Sequence, residues 1–152
     1  MEMEQAYRKI RHFCAYQERC HADVKEKLYG MGLYKARVEE IISRLIEDDY
    51  LNEERFAIQY AGGKFRIKHW GRNKIRYALK QLAISDYCIK KAIGDIADDE
   101  YMRVLQKLIQ KKRLTLKTDK NQNLIDWKIK NYLIQKGYES SWIDRAVDEM
   151  TE

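Results

Sequence analysis

Eight basic side chains lie between Glu54 and Asp86 with no carboxylate among them: Arg55, Lys64, Arg66, Lys68, Arg72, Lys74, Arg76 and Lys80. Cations at this density suit phosphate neutralisation, in which each contact releases a condensed counterion and yields salt-sensitive affinity. Arg72, Arg76 and Lys80 recur at i, i+4 and i+8, one side of a helix, while Ile75, Leu79 and Leu82 fall on another side. Lys64, Arg66 and Lys68 approach that row from the preceding helix end. Phe65, Trp70 and Tyr77 are interleaved with the cations. Trp70 reads first as an anchor between helices, and Trp70 or Tyr77 can alternatively stack on a base at about 1–3 kcal/mol. The competing reading of the charges is a solvated helix face. The missing counter-charges favour a polyanion or an acidic protein instead.

Other reactive residue types form weaker patterns. His12, Cys14, Cys20 and His21 are close in sequence, but their spacing matches no usual zinc finger, and no metal or other cofactor is expected. Glu39, Glu40, Glu47, Asp48 and Asp49 could be drafted as carboxylates for a metal-dependent nuclease. Helical spacing puts the glutamates on an outer face and the aspartates at a helix end, so solvation and turn formation are the plainer reading. No Gly-rich phosphate loop, HExxH, GxSxG or paired CxxC occurs, and no catalytic site is expected. The three cysteines suggest no disulfide framework; they read as reduced thiols, with Cys14 and Cys88 semi-buried.

The elements that must position these groups read as helices throughout. Ala6, Ile10 and Phe13 form a first stripe, and Val24 and Leu28 a second, closed by Gly30 or Gly32. Val38, Ile41, Ile42, Leu45 and Ile46 form the third. Asn52 caps a fourth helix with Glu53 and Glu54 in its first turn, and Phe56, Tyr60 and Ile67 on its stripe. Gly62-Gly63 inside that helix marks close packing, an early end or a hinge. The apolar set Val24, Leu28, Leu33, Val38, Ile42 and Leu45 recurs 51 positions later as Ile75, Leu79, Ile84, Ile89, Ile93 and Ile96. It recurs 54 positions further as Ile129, Leu133, Tyr138, Ile143, Val147 and Met150. Gly32, Ala83 and Gly137 share the turn column, and Ile41, Ala92 and Ala146 share a core column. Each copy is a three-helix unit too small to bury a core alone. The expected fold is all-α: a tandem repeat of three three-helix modules, 1–51, 52–98 and 99–152, in an elongated, curved, right-handed stack. A polar loop is expected at Leu114–Asn123.

The 152 residues contain no proline and 36% charged side chains, which suits thin helical layers. No apolar run long enough for a membrane span and no signal-peptide core occur, so a cytoplasmic location without membrane contact is expected. Residues 1–51 carry 9 basic and 10 acidic groups, 52–98 carry 10 and 5, and 99–152 carry 11 and 9, so the cationic excess sits in the middle third. A helix-turn-helix reader is disfavoured, because the third helix is acidic and the sixth offers only Lys90 and Lys91.

The segment DDYLNEERFAIQY is similar to "gYLnDxrFAxxy", a signature of the RecX family of bacterial regulators of the RecA recombinase. HWGRNKIRYALKQLAI follows at the family's spacing and resembles "GxGPxrIxxxLxxkGI". QERCHADVKEKLYGMG, with Arg19 on the family's arginine, resembles "xRxxSxxEvxxKLxxkG". LIDWKIKNYLIQKGYESSWIDRAVDEM resembles the closing "kxxxyLxrkGFxxxxIxxai". Together these cover residues 6–150. Three positions depart from the pattern. Glu53 stands where Asp is frequent. Arg72 replaces the proline of a Gly-Pro turn, which loosens that turn. His21 replaces a capping Ser, which leaves the start of the second helix open.

The resemblance implies a non-enzymatic regulator, an inhibitor, that lies in the groove of RecA–DNA filaments. It would modulate ATPase, coprotease and strand-exchange activity in recombination, DNA repair and the SOS response. It further implies a monomer that binds single- and double-stranded DNA weakly and without sequence specificity. Arg55, Arg72, Lys74 and Arg76 lie within the matched motifs. The expected DNA- and filament-binding set is Arg55, Lys64, Arg66, Lys68, Trp70, Arg72, Lys74, Arg76 and Lys80. A free-standing nucleic-acid-binding helical module acting without RecA is the alternative. Replacing Arg72 and Arg76 by Ala is expected to weaken filament inhibition and leave thermal stability nearly unchanged.

Overall fold

The computed structural model describes residues 1–151. Among them are nine helices and no strand: α1 (Met3–Tyr16), α2 (His21–Gly30), α3 (Lys35–Glu47), α4 (Glu53–Lys68), α5 (Arg72–Gln81), α6 (Asp86–Gly94), α7 (Asp98–Thr115), α8 (Gln122–Gln135) and α9 (Ser140–Thr151). No described helix is long and apolar enough to cross a membrane.

The sequence repeat is written into the helix ends. Gly32, Ala83 and Gly137 all adopt left-handed φ, at +86°, +60° and +101°. Just beyond each, a repeat amide donates to the repeat carbonyl five residues back: Leu33 to Leu28 at 3.4 Å, Ile84 to Leu79 at 3.1 Å, and Tyr138 to Leu133 at 3.0 Å. Each pair thus closes a helix C-terminus while its own side chains are buried. The apolar columns fill the core in the first two copies. In the third, Ile129, Leu133, Tyr138 and Ile143 are buried, and Val147 and Met150 stay half-exposed.

Contacts divide the chain into two compact units. The first comprises Met1–Tyr60 and Leu79–Ala92; the second comprises Ala61–Ala78 and the described residues from Ile93 onward. In the first, α1, α2 and α3 enclose Ala6, Tyr7, Ile10, Cys14, Val24, Leu28, Val38, Ile41 and Leu45. In the second, α7, α8 and α9 pack on one another. Their core includes a run of rings, Phe65–Tyr101–Tyr138, with centroids 5.7 and 5.1 Å apart, and Trp142 edge-on to Tyr101.

Several local expectations change. α4 runs unbroken through Gly62-Gly63 and buries Phe56, Ala57, Ala61 and Phe65, whereas Ile67 is 77% exposed. Ile46 also points outward. α7 extends through Leu114 and Thr115, and Asn121 caps α8 by accepting the Leu124 amide at 3.2 Å, so the expected loop is shorter at both ends. Asn52 does cap α4, accepting the Arg55 amide at 2.9 Å. α2 begins at His21 without a side-chain cap. Cys14, Cys20 and Cys88 are all free and buried.

Candidate nucleic-acid interface

The turn between α4 and α5 is fixed by the backbone of the turn between α8 and α9, both within the second unit. The Gly71 amide donates to the Lys136 carbonyl at 2.7 Å, and the Asn73 amide donates to that of Gly137 at 2.9 Å. The Tyr138 hydroxyl donates to the His69 carbonyl at 3.0 Å, with His69 itself left-handed at φ 58°. Such close approach requires both glycines. A Cβ on Gly71 would stand 2.3 Å from the Gly137 carbonyl carbon, and one on Gly137 would stand 2.4 Å from the Lys74 Cβ.

Arg72 sits at the centre of this turn and is only 7% exposed. Its amide donates to the Tyr101 hydroxyl at 3.0 Å. Its Nη2 donates to the Ile96 carbonyl at 2.9 Å and pairs with Asp98 at 2.8 Å. The guanidinium carbon lies 4.0 Å from the Tyr101 ring centroid and 5.0 Å from that of Trp142. Tyr101 in turn donates to Glu139, and burial followed by that bond pushes its hydroxyl pKa far up. One expectation is corrected here and another is set aside. Arg72 is an internal strut whose guanidinium is engaged by Ile96, Asp98, Tyr101 and Trp142. The turn is not loosened by the absent proline, because the Arg72 N–H that a proline would lack is used.

The remaining expected residues separate by how their charge is spent. In the first unit, Arg55 pairs with Glu18 and, at 3.1 Å, with Asp49, and its Nη2 donates to the Asp49 carbonyl. Those bonds hold Arg55 as a brace at the start of α4. Lys80, in the same unit, is exposed. In the second unit, Arg66 pairs with Glu100 at 3.3 Å, and Arg76 donates to Asn73 Oδ1 at 2.8 Å.

The Trp70 indole is half-buried, with its amide bonded to the Lys64 carbonyl at 3.2 Å. Lys64 Nζ stands 4.9 Å from the indole centroid and Lys74 Nζ stands 4.7 Å from it. Lysines from two different helices therefore converge on one ring, each gaining about 0.5–1 kcal/mol at such a surface position. Trp70 serves here as the post that gathers ammonium groups.

Charge patterning missed one residue. Lys136, from the end of α8, donates to the Lys68 carbonyl at 3.4 Å. Its ammonium is held below the ordinary lysine pKa, first by burial and then by repulsion from Lys74. It lies far along the chain from the basic run, and only the clasp of the two turns brings it there. The ion pairs of this unit go elsewhere: Arg66 to Glu100, Arg72 to Asp98, Lys128 to Asp119, Lys130 to Asp144 and Arg145 to Glu149. Among the described residues no carboxylate pairs with Lys68, Lys74 or Lys136. The result is a cationic patch built from α4, α5 and the α8 terminus around Trp70. Among the described residues no group of three or more His, Cys, Asp or Glu could hold a metal ion.

Comparison with known proteins agrees with this architecture. Residues 52–93 match the family model described as the second three-helix domain of RecX. The regulatory protein RecX of Bacillus mycoides is 24% identical over 153 residues, covering 99% of this chain and 56% of the relative. That of Oceanobacillus iheyensis is 26% identical over 148 residues, covering 97% and 54%. The chain thus spans about half the length of the curated relatives it matches. The crystal structure of RecX from Lactobacillus salivarius superimposes with a TM-score of 0.90 at 24% identity, over 98% of this chain and 96% of that one. A second crystal structure, of a regulatory protein RecX, gives 0.86 at 22% identity, over 96% and 71%. With the repeat, the ordered motifs and the helical fold all in agreement, residues 52–93 match the second three-helix domain of RecX, and the chain as a whole is similar to RecX regulatory proteins.

Proposed function

We propose that this protein regulates the RecA recombinase by binding RecA–DNA filaments, with the patch of Lys64, Lys68, Lys74 and Lys136 around Trp70 set against the phosphate backbone and Arg76 beside it. The observation that carries this reading is the convergence of Lys74 and Lys136. Lys136 is desolvated by burial and then repelled by Lys74, so an anion shared between the two ammonium groups offsets both penalties. The lysines present point charges rather than bidentate forks aimed at base edges, which suits backbone contact without sequence reading. Arg72 has left the expected binding set for the interior, and Arg55 is engaged in its own ion pairs. Lys80 and Arg66 are secondary contributors, exposed and partly compensated respectively. The protein acts without catalysis of its own, as a monomer, by damping filament ATPase, coprotease and strand-exchange activity.

The test compares binding to RecA–single-stranded DNA filaments and to bare single-stranded DNA at two salt concentrations, with RecA ATPase followed in parallel. Lys74→Glu with Lys136→Glu should weaken filament binding about tenfold or more and lower the salt slope by about one for each phosphate that is no longer neutralised. Equal affinity for bare DNA and filaments, with ATPase untouched, would return the reading to a free-standing nucleic-acid binder.

A further inference from the structure

α8 is apolar on two opposite sides. Ile129 and Leu133 face the core of the second unit. On the other side Leu124, Trp127 and Ile134 are exposed, Trp127 by 63%. With Asn131 they follow i, i+3, i+7 and i+10, a straight stripe about 15 Å long at the helical rise. A surface helix ordinarily carries one apolar stripe, and this second one stays exposed among the described residues. Beside it lies a groove of about 230 Å³ lined by Lys112, Leu116, Trp127, Lys128 and Tyr132. The Lys112 ammonium stands 4.6 Å from the Tyr132 ring centroid.

The charge around this stripe is one-sided. Residues 107–128 carry seven basic groups against Asp119 and Asp126. Asp119 is taken up by Lys128 and Asp126 by the Gln122 amide. We propose that the outer face of α8 is a docking surface for an acidic amphipathic helix of a partner protein. Its apolar side chains would lie along Leu124, Trp127 and Ile134, and its carboxylates would meet the lysine rim. A second copy of this chain is disfavoured, because it would set one lysine rim against another. Nucleic acid is disfavoured because two of the three stripe residues are aliphatic and offer no planar face for a base. A helix fits the straight stripe and its three-turn length, and an exposed Trp at the centre is a usual anchor of such an interface. The Lys136 ammonium of the Trp70 patch stands 5.7 Å from the Tyr132 ring centroid, so the two surfaces adjoin there, but the stripe does not rest on the reading of the patch.

The test uses a fluorescein-labelled helical peptide of about 18 residues, with Leu on one stripe and Glu elsewhere, titrated with the full chain by anisotropy. The expected result is saturable binding, weakened at least about tenfold by Trp127→Ala with Ile134→Ala and unchanged by Lys74→Glu. Circular dichroism and melting temperature confirm that the surface variant still folds. Any of four results overturns the proposal: failure of the peptide to saturate, equal binding of a version with Lys for Glu, displacement of the peptide by a thymidine oligonucleotide from the Lys74→Glu, Lys136→Glu variant, or self-association of the chain that the Trp127→Ala, Ile134→Ala variant abolishes.

Discussion

Arg72 and Arg76 are one helical turn apart on α5 and carry the same charge, yet they do different work. Arg76 donates to its neighbour Asn73, whereas Arg72 holds Ile96, Asp98 and Tyr101 to the start of α5. Hydrogen bonds to charged groups contribute about 1.5–3 kcal/mol each, and the ring contacts add to them. Arg72→Ala should therefore cost about 2–4 kcal/mol, a drop of roughly 5–10 °C in melting temperature, while Arg76→Ala stays within about 0.5 kcal/mol. Thermal melts of the two single variants check this. The result expected from sequence alone, near-neutral stability for the pair, would mean that the strut carries no weight.

His21 offers a pH-dependent counterpart in the first unit. Burial holds its imidazole below the ordinary pKa, partly opposed by Glu53. The unfolded chain then binds the proton more readily than the folded one. Stability is highest with His21 neutral, and it declines as pH falls through the ordinary histidine range toward the depressed folded value. Urea melts between pH 7.5 and 5 should show this decline, and His21→Gln should flatten part of it.

At the scale of elements, the turn column makes a sharper prediction. Gly32 and Gly137 occupy their left-handed turns without steric cost, but Ala83 holds the same conformation at φ +60°. An L-residue there costs about 1–2 kcal/mol. Ala83→Gly should return about 1 kcal/mol once the greater freedom of the unfolded glycine is subtracted, raising the urea midpoint. The opposite change at the α4–α5 turn is severe. Gly71→Ala drives a methyl into the Gly137 backbone, which cannot yield without breaking the bonds from Gly71 and Asn73. A loss of about 3 kcal/mol or more is expected, together with loss of the Lys74–Lys136 juxtaposition.

At the scale of the whole molecule, sequence modules and packing units divide the chain differently. We propose that 1–51, 52–98 and 99–152 are the repeating units of sequence. The described contacts instead group α4 and α5 partly with one unit and partly with the other, with seams at Tyr60/Ala61 and Ala78/Leu79. Cooperative opening follows packing rather than repeat boundaries. Native-state hydrogen exchange should therefore give the amides of Phe56 and Ala57 the opening free energy of the first unit, and those of Phe65 and Ile75 that of the second. A single common value across 52–98 would make the second module a folding unit of its own.

Much of this protein follows from local pattern. The apolar columns, the turn column, the Asn52 cap and the ordered motifs depend on spacing within a few turns of helix, so they were legible in the chain and sufficed for the helical fold and the likeness to RecX. The fate of each cation was not. Arg72 reads as one more member of a basic row, and it turns inward because Ile96, Asp98, Tyr101 and Trp142, all from later in the chain, supply the acceptors and rings that offset its desolvation. Lys136 lies outside the basic run and enters the patch through the meeting of Gly71 and Gly137. The second apolar stripe of α8 was likewise hidden, because exposure and burial alternate around a helix in a way that composition alone does not reveal. Sequence determined which residues are helical and which side chains are charged. The tertiary structure decided which charges are spent inside and which remain for a partner, because that choice rests on contacts between residues far apart in the chain.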